Sequence, residues 1–178
     1  MKISVLHLLV AVAIVWPSVI SRASIPTFED FEYAGDGIIT IYNTHSHELE
    51  TVEYKNKDGF INEGLNEINY LLRCRMNDEK AQMSLKLIAL IDHIQDHFGV
   101  SKIDVISAYR SPEFNRSLRR RGHRAAKESL HMKGMAMDIV VPGVPMRKLR
   151  DYARSLKMGG VGYYKRFVHV DVGPVRYW

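Results

Sequence analysis

The chain has 178 residues, 46% of them hydrophobic and 25% charged, with 25 Lys/Arg against 20 Asp/Glu for a formal charge of +5. That length allows one domain with a sizeable core, and the composition excludes a disordered or fibrous class. The single cysteine, Cys74, excludes an internal disulfide.

The first element is a leader. Lys2 precedes a mostly apolar stretch from Ile3 to Ile20, and Ser21-Arg22-Ala23 supplies small residues for cleavage. Residues 1–23 therefore read as a secretory signal peptide, with an uncleaved anchor as the alternative. His7 and Pro17 argue against the anchor, whose length would be borderline for a span of about 20 residues. No twin-arginine pair precedes the stretch, so general export to the periplasm is the expectation. Cleavage would leave 23 basic and 20 acidic residues and no stable membrane insertion.

Residues 24–36 read as a polar linker, and residues 37–178 as the folded domain. Ile39 and Ile41, then Val52 and Tyr54, alternate with polar residues around NTHSHE and predict a β-hairpin, with His45 and His47 at its tip. An H-x-H pair can bind metal, but a polar tip explains it as well. Leu65, Ile68, Leu71 and Leu72 keep helical spacing over 62–75, which places Cys74 as a small buried residue. A second helix spans 82–98, with Leu87, Ile88, Ile91, Ile94 and Phe98 on one stripe and Gly99 as its stop. His93 and His97 lie off that stripe and are expected to face solvent.

KIDVISAYR predicts a strand running into a loop. SPEFNRSLRRRG predicts a helix with Ser111 as N-cap and Pro112 at its first position. The basic run RSLRRRGHR at 116–124 would suggest nucleic acid in a cytosolic protein. In an exported one it suits wall polymers or lipid headgroups, or is simply a solvated helix end, so no nucleic-acid partner is expected. MAMDIVV reads as a strand, VPMRKLRDYARSL as a helix, GGVGYY as a turn into a strand, and FVHVDV as the last strand. The class is α+β: a small antiparallel sheet packed with helices and carrying the site.

The residues that carry chemistry are few. A catalytic zinc takes three protein ligands and keeps one position open for water. His131, Asp138 and His169 are suitable. Period-2 alternation puts His169 and Asp171 on one strand face, with Val168 and Val170 on the other. Burying two imidazoles and two carboxylates among valines is costly unless a cation compensates.

Ser129, His131, Gly134, Ala136 and Asp138 match the S-x-H-x-x-G-x-A-x-D motif, and SAYRS at 107–111 is similar to S-G-Y-R-S. On these the chain resembles the zinc D-Ala-D-Ala carboxypeptidases and dipeptidases, whose superfamily includes lysostaphin-type peptidases and hedgehog domains. ISxYRSPxxN, PGVPxxxLR, GGVGYY and FVHxDxGPVRxW resemble its murein endopeptidase K subfamily, from about Ile38 to Trp178.

The resemblance implies a zinc peptidase cutting peptidoglycan cross-links. Zn2+ would sit on His131, Asp138 and His169. Arg110 would contact a substrate carboxylate or the developing oxyanion, and Ser107 and Ser129 would flank the substrate peptide. Two departures stand out. The glutamate or histidine that relatives carry just before the last zinc histidine is replaced by Arg166 and Phe167, and Ala108 stands where glycine is common. Asp171 is then either the general base or the carboxylate that orients an imidazole. Two other readings stay open: trimming of stem peptides by a carboxypeptidase or dipeptidase, and a non-catalytic, zinc-containing wall-binding domain.

Overall fold

The computed structural model describes residues 35–123 and 125–178. The leader at 1–23 and most of the linker at 24–36 lie outside them. Among the described residues no helix is long and apolar enough to cross a membrane.

The hairpin forms as the alternation predicts. β1 (Ile38–Asn43) pairs antiparallel with β2 (Leu49–Glu53), and His45 and His47 sit on the exposed turn between them. A two-stranded ribbon, β3 (Lys55–Asn56) and β4 (Gly59–Phe60), leads into α1 (Asn62–Leu71). That helix stops four residues short of the predicted end at Arg75. Its last turn closes at Leu72, and a turn follows in which the Asp78 N–H donates to the Cys74 carbonyl. Cys74 is buried, but in that turn and not on the helix.

α2 (Leu85–Phe98) starts after Ser84 and ends on Gly99 in the left-handed region. Its His93 and His97 do not simply face solvent: both rings stack on Tyr152, and the Tyr152 hydroxyl lies 2.7 Å from His93 Nε2. β5 (Ile103–Ser107), α3 (Pro112–Arg120), β6 (Ala136–Val140) and α4 (Met146–Ser155) follow. Tyr152 belongs to α4, so positions off the apolar stripe of α2 become a contact between helices. The Ser111 hydroxyl caps α3 by accepting from the Phe114 N–H. GGVGYY is itself a strand, β7 (Gly160–Tyr163), not a turn into one. It pairs with β8 (Val168–Asp171) and with a short last strand that the sequence did not signal, β9 (Arg176–Tyr177).

The main sheet is open, seven-stranded and mostly antiparallel, in the order β2-β1-β5-β6-β8-β7-β9; only β1–β5 and β7–β9 run parallel. Strand alternation divides it into two faces. Ile39, Ile41, Ile103, Val105, Met137, Ile139, Val168 and Val170 join Leu87, Ile88, Ile91 and Ile94 of α2 and Leu149 of α4 in one core. The opposite face carries Ser107, Asp138 and His169 in adjacent register: Ser107 opposite Asp138, and Asp138 opposite His169. A bulge between Val105 and Ser107 shifts the pairing just before this row, a device that re-aims side chains next to a site.

One buried group ties the chain's entry to the core. Asp92 of α2 is fully buried; its Oδ2 accepts from the Gly37 N–H and the Tyr54 hydroxyl, while Oδ1 has no partner among the described residues. Burial pushes its carboxyl from 3.8 up to about 6, against the pull of those two donors. The folded state therefore holds a proton that the unfolded state releases between the two values. This contribution to stability is complete below pH 3.8 and is lost as pH rises through about 6. Asp92→Asn keeps the acceptor without the charge. Denaturant titrations at pH 4 and pH 7 should show wild type losing on the order of 2–3 kcal/mol relative to this variant. Parallel pH curves would exclude a buried, proton-binding Asp92.

Candidate metal centre

Three elements deliver the candidate ligands. A short 3-10 turn (Leu130–Lys133) carries His131, and β6 and β8 carry Asp138 and His169 side by side. The turn ends on Gly134 with φ +64, where a Cβ would lie 2.5 Å from the Gln82 carbonyl oxygen. Only glycine fits both that backbone and that approach.

All three side chains are buried or nearly so. His131 Nε2 lies 3.2 Å from His169 Nδ1 and 3.3 Å from Asp138 Oδ1, and His169 Nδ1 lies 2.8 Å from Asp138 Oδ1. Tetrahedral ligands with bonds of ~2.0–2.1 Å stand about 3.3–3.4 Å apart. The triangle is thus close to what a small divalent cation needs, and two imidazoles with one carboxylate are a suitable donor set. Without a cation it is a cluster of acceptors sharing too few protons.

The surroundings fix which nitrogen faces the triangle. His131 Nδ1 lies 2.8 Å from the Ala108 carbonyl, which accepts its N–H and leaves Nε2 as donor to a metal. His169 Nε2 lies 3.2 Å from Asp171 Oδ2, which leaves Nδ1 inward. Burial pulls the His131 imidazole below its ordinary value, against the attraction of Asp138. Burial pushes the Asp138 carboxyl up, but His131, His169 and Arg110 outweigh it and hold the group ionised, well below the usual range. Those two states are the ones a ligand needs. The His169 imidazole goes the other way: burial pulls it down, but Asp138 and Asp171 prevail and raise it, so a cation at Nδ1 would have to displace a proton.

Asp171 accepts from four directions. Oδ1 takes the Gly160 and Gly173 N–H groups at 2.9 Å each; Oδ2 takes Arg176 at 2.8 Å and faces His169. A carboxylate offers about four lone-pair sites, and all four are engaged. The side chain is fully buried and does not line the cleft. Burial raises its carboxyl, but those partners prevail and hold it below the ordinary range. Of the two roles open to Asp171, this environment fits the orienting carboxylate and not a base that reaches water. Gly160 is part of the arrangement, since a Cβ there would lie 2.4 Å from Asp171 Oδ2.

Arg110 donates through Nε to the Ser107 hydroxyl at 2.9 Å and through Nη2 to Asp138 Oδ2. A salt bridge and a place beside the metal triangle are therefore the same arrangement. Ser129 is buried at the start of the 3-10 turn and, with Ser107, lines a cleft of about 650 Å³ over the triangle. Phe167, Leu118, Leu130 and Trp178 give that cleft an apolar wall, and Arg75, His123 and Glu128 also line it. The residues that composition and motif singled out (Ser107, Arg110, Ser129, His131, Asp138, His169, Asp171) all meet at this one place. The pairs His45/His47 and His93/His97 do not. Arg176 and the Ala108 carbonyl join the cluster without having been singled out. GPVRxW was visible as a motif, but nothing local in it points to Asp171.

A family model described as "Peptidoglycan L,D-endopeptidase MepK" matches residues 33–178. The chain belongs to this family. It is 38% identical over 145 residues to the "Probable peptidoglycan L,D-endopeptidase MepK" of Haemophilus influenzae, covering 79% of this chain and 78% of the relative. It is 35% identical over 156 residues to the "Peptidoglycan L,D-endopeptidase MepK" of Escherichia coli K12, covering 86% of each chain. No solved structure gives a significant match. Family membership covers the whole described domain, so the metal triangle, the arginine beside it and the cleft above it all belong to the matched region.

Proposed function

We propose that this chain is a zinc-dependent peptidoglycan endopeptidase that acts in the periplasm and hydrolyses L,D cross-links between stem peptides. The observation that carries the reading is the ligand triangle of His131 Nε2, Asp138 Oδ1 and His169 Nδ1 at the floor of a cleft. The names of the relatives supply the substrate class. Three protein ligands of this type leave a fourth position open, as catalytic zinc requires. The apolar segment at 3–20 supports export.

A bound zinc ion supplies Lewis acidity, lowering the pKa of a coordinated water to about 7 and polarising the amide carbonyl. The chain's own residues do the rest. Asp171 and the Ala108 carbonyl hold the two imidazoles in the right tautomer and orientation. Arg110 has five N–H donors and commits one to Ser107 and one to Asp138. The others are available to the oxygen that gains charge as the carbonyl becomes tetrahedral, in a setting of low dielectric. Phe167 and Trp178 line one side of the cleft and would lie against a bound peptide there.

Purified cross-linked muropeptide dimers with L,D or D,D links test the reaction. The expected result is monomer released from the L,D-linked dimer. Release of terminal D-Ala alone would favour a trimming carboxypeptidase. Binding without any product would favour a wall-binding domain.

A further inference from the structure

Arg75 is a cation with no counter-ion among the described residues. It follows Cys74 in the turn after α1, and no carboxylate described here pairs with it. Arg75 is exposed at the rim of the cleft, and its guanidinium carbon sits 4.8 Å from the ring centroid of buried Phe114. The turn beneath it is tied down: the Cys74 N–H donates to the Glu79 carbonyl, and the Tyr109 N–H to the Leu72 carbonyl.

The polar neighbour of Arg75, His45, is a poor acceptor. Arg75 Nη1 lies 2.5 Å from His45 Nε2, but that nitrogen is also 2.8 Å from the Ile106 carbonyl. If His45 Nε2 carries a hydrogen for Ile106, it has no lone pair for Arg75. If it is bare, it faces the Ile106 oxygen lone pairs instead. With its hydrogen on Nε2 for Ile106, His45 can offer Arg75 only its Nδ1 lone pair, 3.5 Å from Nη1, a long contact to a ring that carries no negative charge. Glu128 lines the same cleft and makes no ion pair with any described residue. Arg110 is the neighbouring cation on the cleft wall, and its one carboxylate, Asp138, belongs to the metal triangle. Arg121 adds a further positive charge near Arg75. Of the three arginines that line the cleft, Arg110 is paired with Asp138 and Arg176 with Asp171, so Arg75 is the one whose charge no carboxylate among the described residues meets directly.

We propose that Arg75 is a specificity residue whose planar guanidinium, seated on Phe114, binds a free carboxylate of the substrate peptide. This rests on the peptidase reading for the identity of the peptide, but not for the binding itself. A guanidinium takes a carboxylate through two parallel N–H···O bonds, a geometry that neither an amide nor a lysine reproduces. The chemistry selects stem peptides that keep a free acid near the cut bond over those whose acid is amidated.

The test compares wild type with Arg75→Gln and Arg75→Lys on two versions of one cross-linked dimer, with that carboxylate free or amidated. We expect Arg75→Gln to raise KM for the free acid about 10- to 100-fold, with kcat changed by no more than about twofold, since a charged hydrogen-bonded pair is lost without touching the reacting atoms. Its effect on the amidated dimer should be at least about fivefold smaller, and Arg75→Lys should restore only part of the preference. A second arm measures calorimetric binding of the uncross-linked stem peptide, free acid against amide, with no turnover. Preference for the acid that vanishes in Arg75→Gln upholds the inference even if the dimer is never cleaved, in which case the peptidase reading alone fails. Equal acid and amide affinity in wild type, or a preference that survives Arg75→Gln, overturns it.

Discussion

Replacing His131 by alanine should abolish stoichiometric metal binding and slow hydrolysis of a cross-linked muropeptide by about 10³-fold or more. Metal activation is worth several kcal/mol at the transition state, and about 1.4 kcal/mol corresponds to a factor of ten. His131 is buried, its Nδ1 hydrogen is committed to the Ala108 carbonyl, and its Nε2 is one corner of the triangle. The substitution removes that corner and leaves Asp138 and His169 without a third donor. Native mass spectrometry reads the metal and chromatography of the digest reads the rate. A variant that retained one metal per chain would refute the ligand assignment.

The second large effect separates two roles for one carboxylate. Asp171→Asn should weaken metal affinity about 10- to 100-fold, while kcat at saturating metal falls less than about tenfold. The asparagine side chain would keep a carbonyl for the Gly160 and Gly173 N–H groups but would lose the charge that balances Arg176 and holds the His169 Nε2 hydrogen. A general base would behave in the opposite way: metal binding would be intact, and kcat would fall by roughly 10²–10⁴. Metal titrations followed by rates at each occupancy distinguish the outcomes. The second pattern would return the proton to Asp171.

Much of this site was legible before the fold was known, and the reasons are physical. The period of two in a strand puts His169 and Asp171 on one face whatever the neighbours are. A histidine, a glycine turn and an aspartate opening a strand keep their spacing in any fold that turns at Gly134. The invisible parts are those made by other segments. The Ala108 carbonyl is backbone and leaves no trace in residue type. Arg176 meets Asp171 because β9 returns beside β7, a pairing of two residues that no hydrophobic pattern announces. Stacking of His93 and His97 on Tyr152 depends on where α4 meets α2, and a helical wheel of α2 alone assigns both to solvent. The early end of α1 has the same origin. Leu71 and Leu72 keep helical spacing, but burial of Cys74 in a tight turn wins over helix continuation. Arg75 carries no signal in the sequence, because what distinguishes it is a counter-ion it lacks among the described residues.

On the proposed function, His131, Asp138 and His169 hold the metal on which peptide hydrolysis depends. The most direct measurement strips the full chain with a chelator, removes the chelator, and follows an L,D-linked muropeptide dimer by mass spectrometry as zinc is returned. The expected result is no monomer from the stripped protein and full recovery at one zinc per chain. Undiminished cleavage by metal-free protein would contradict the account.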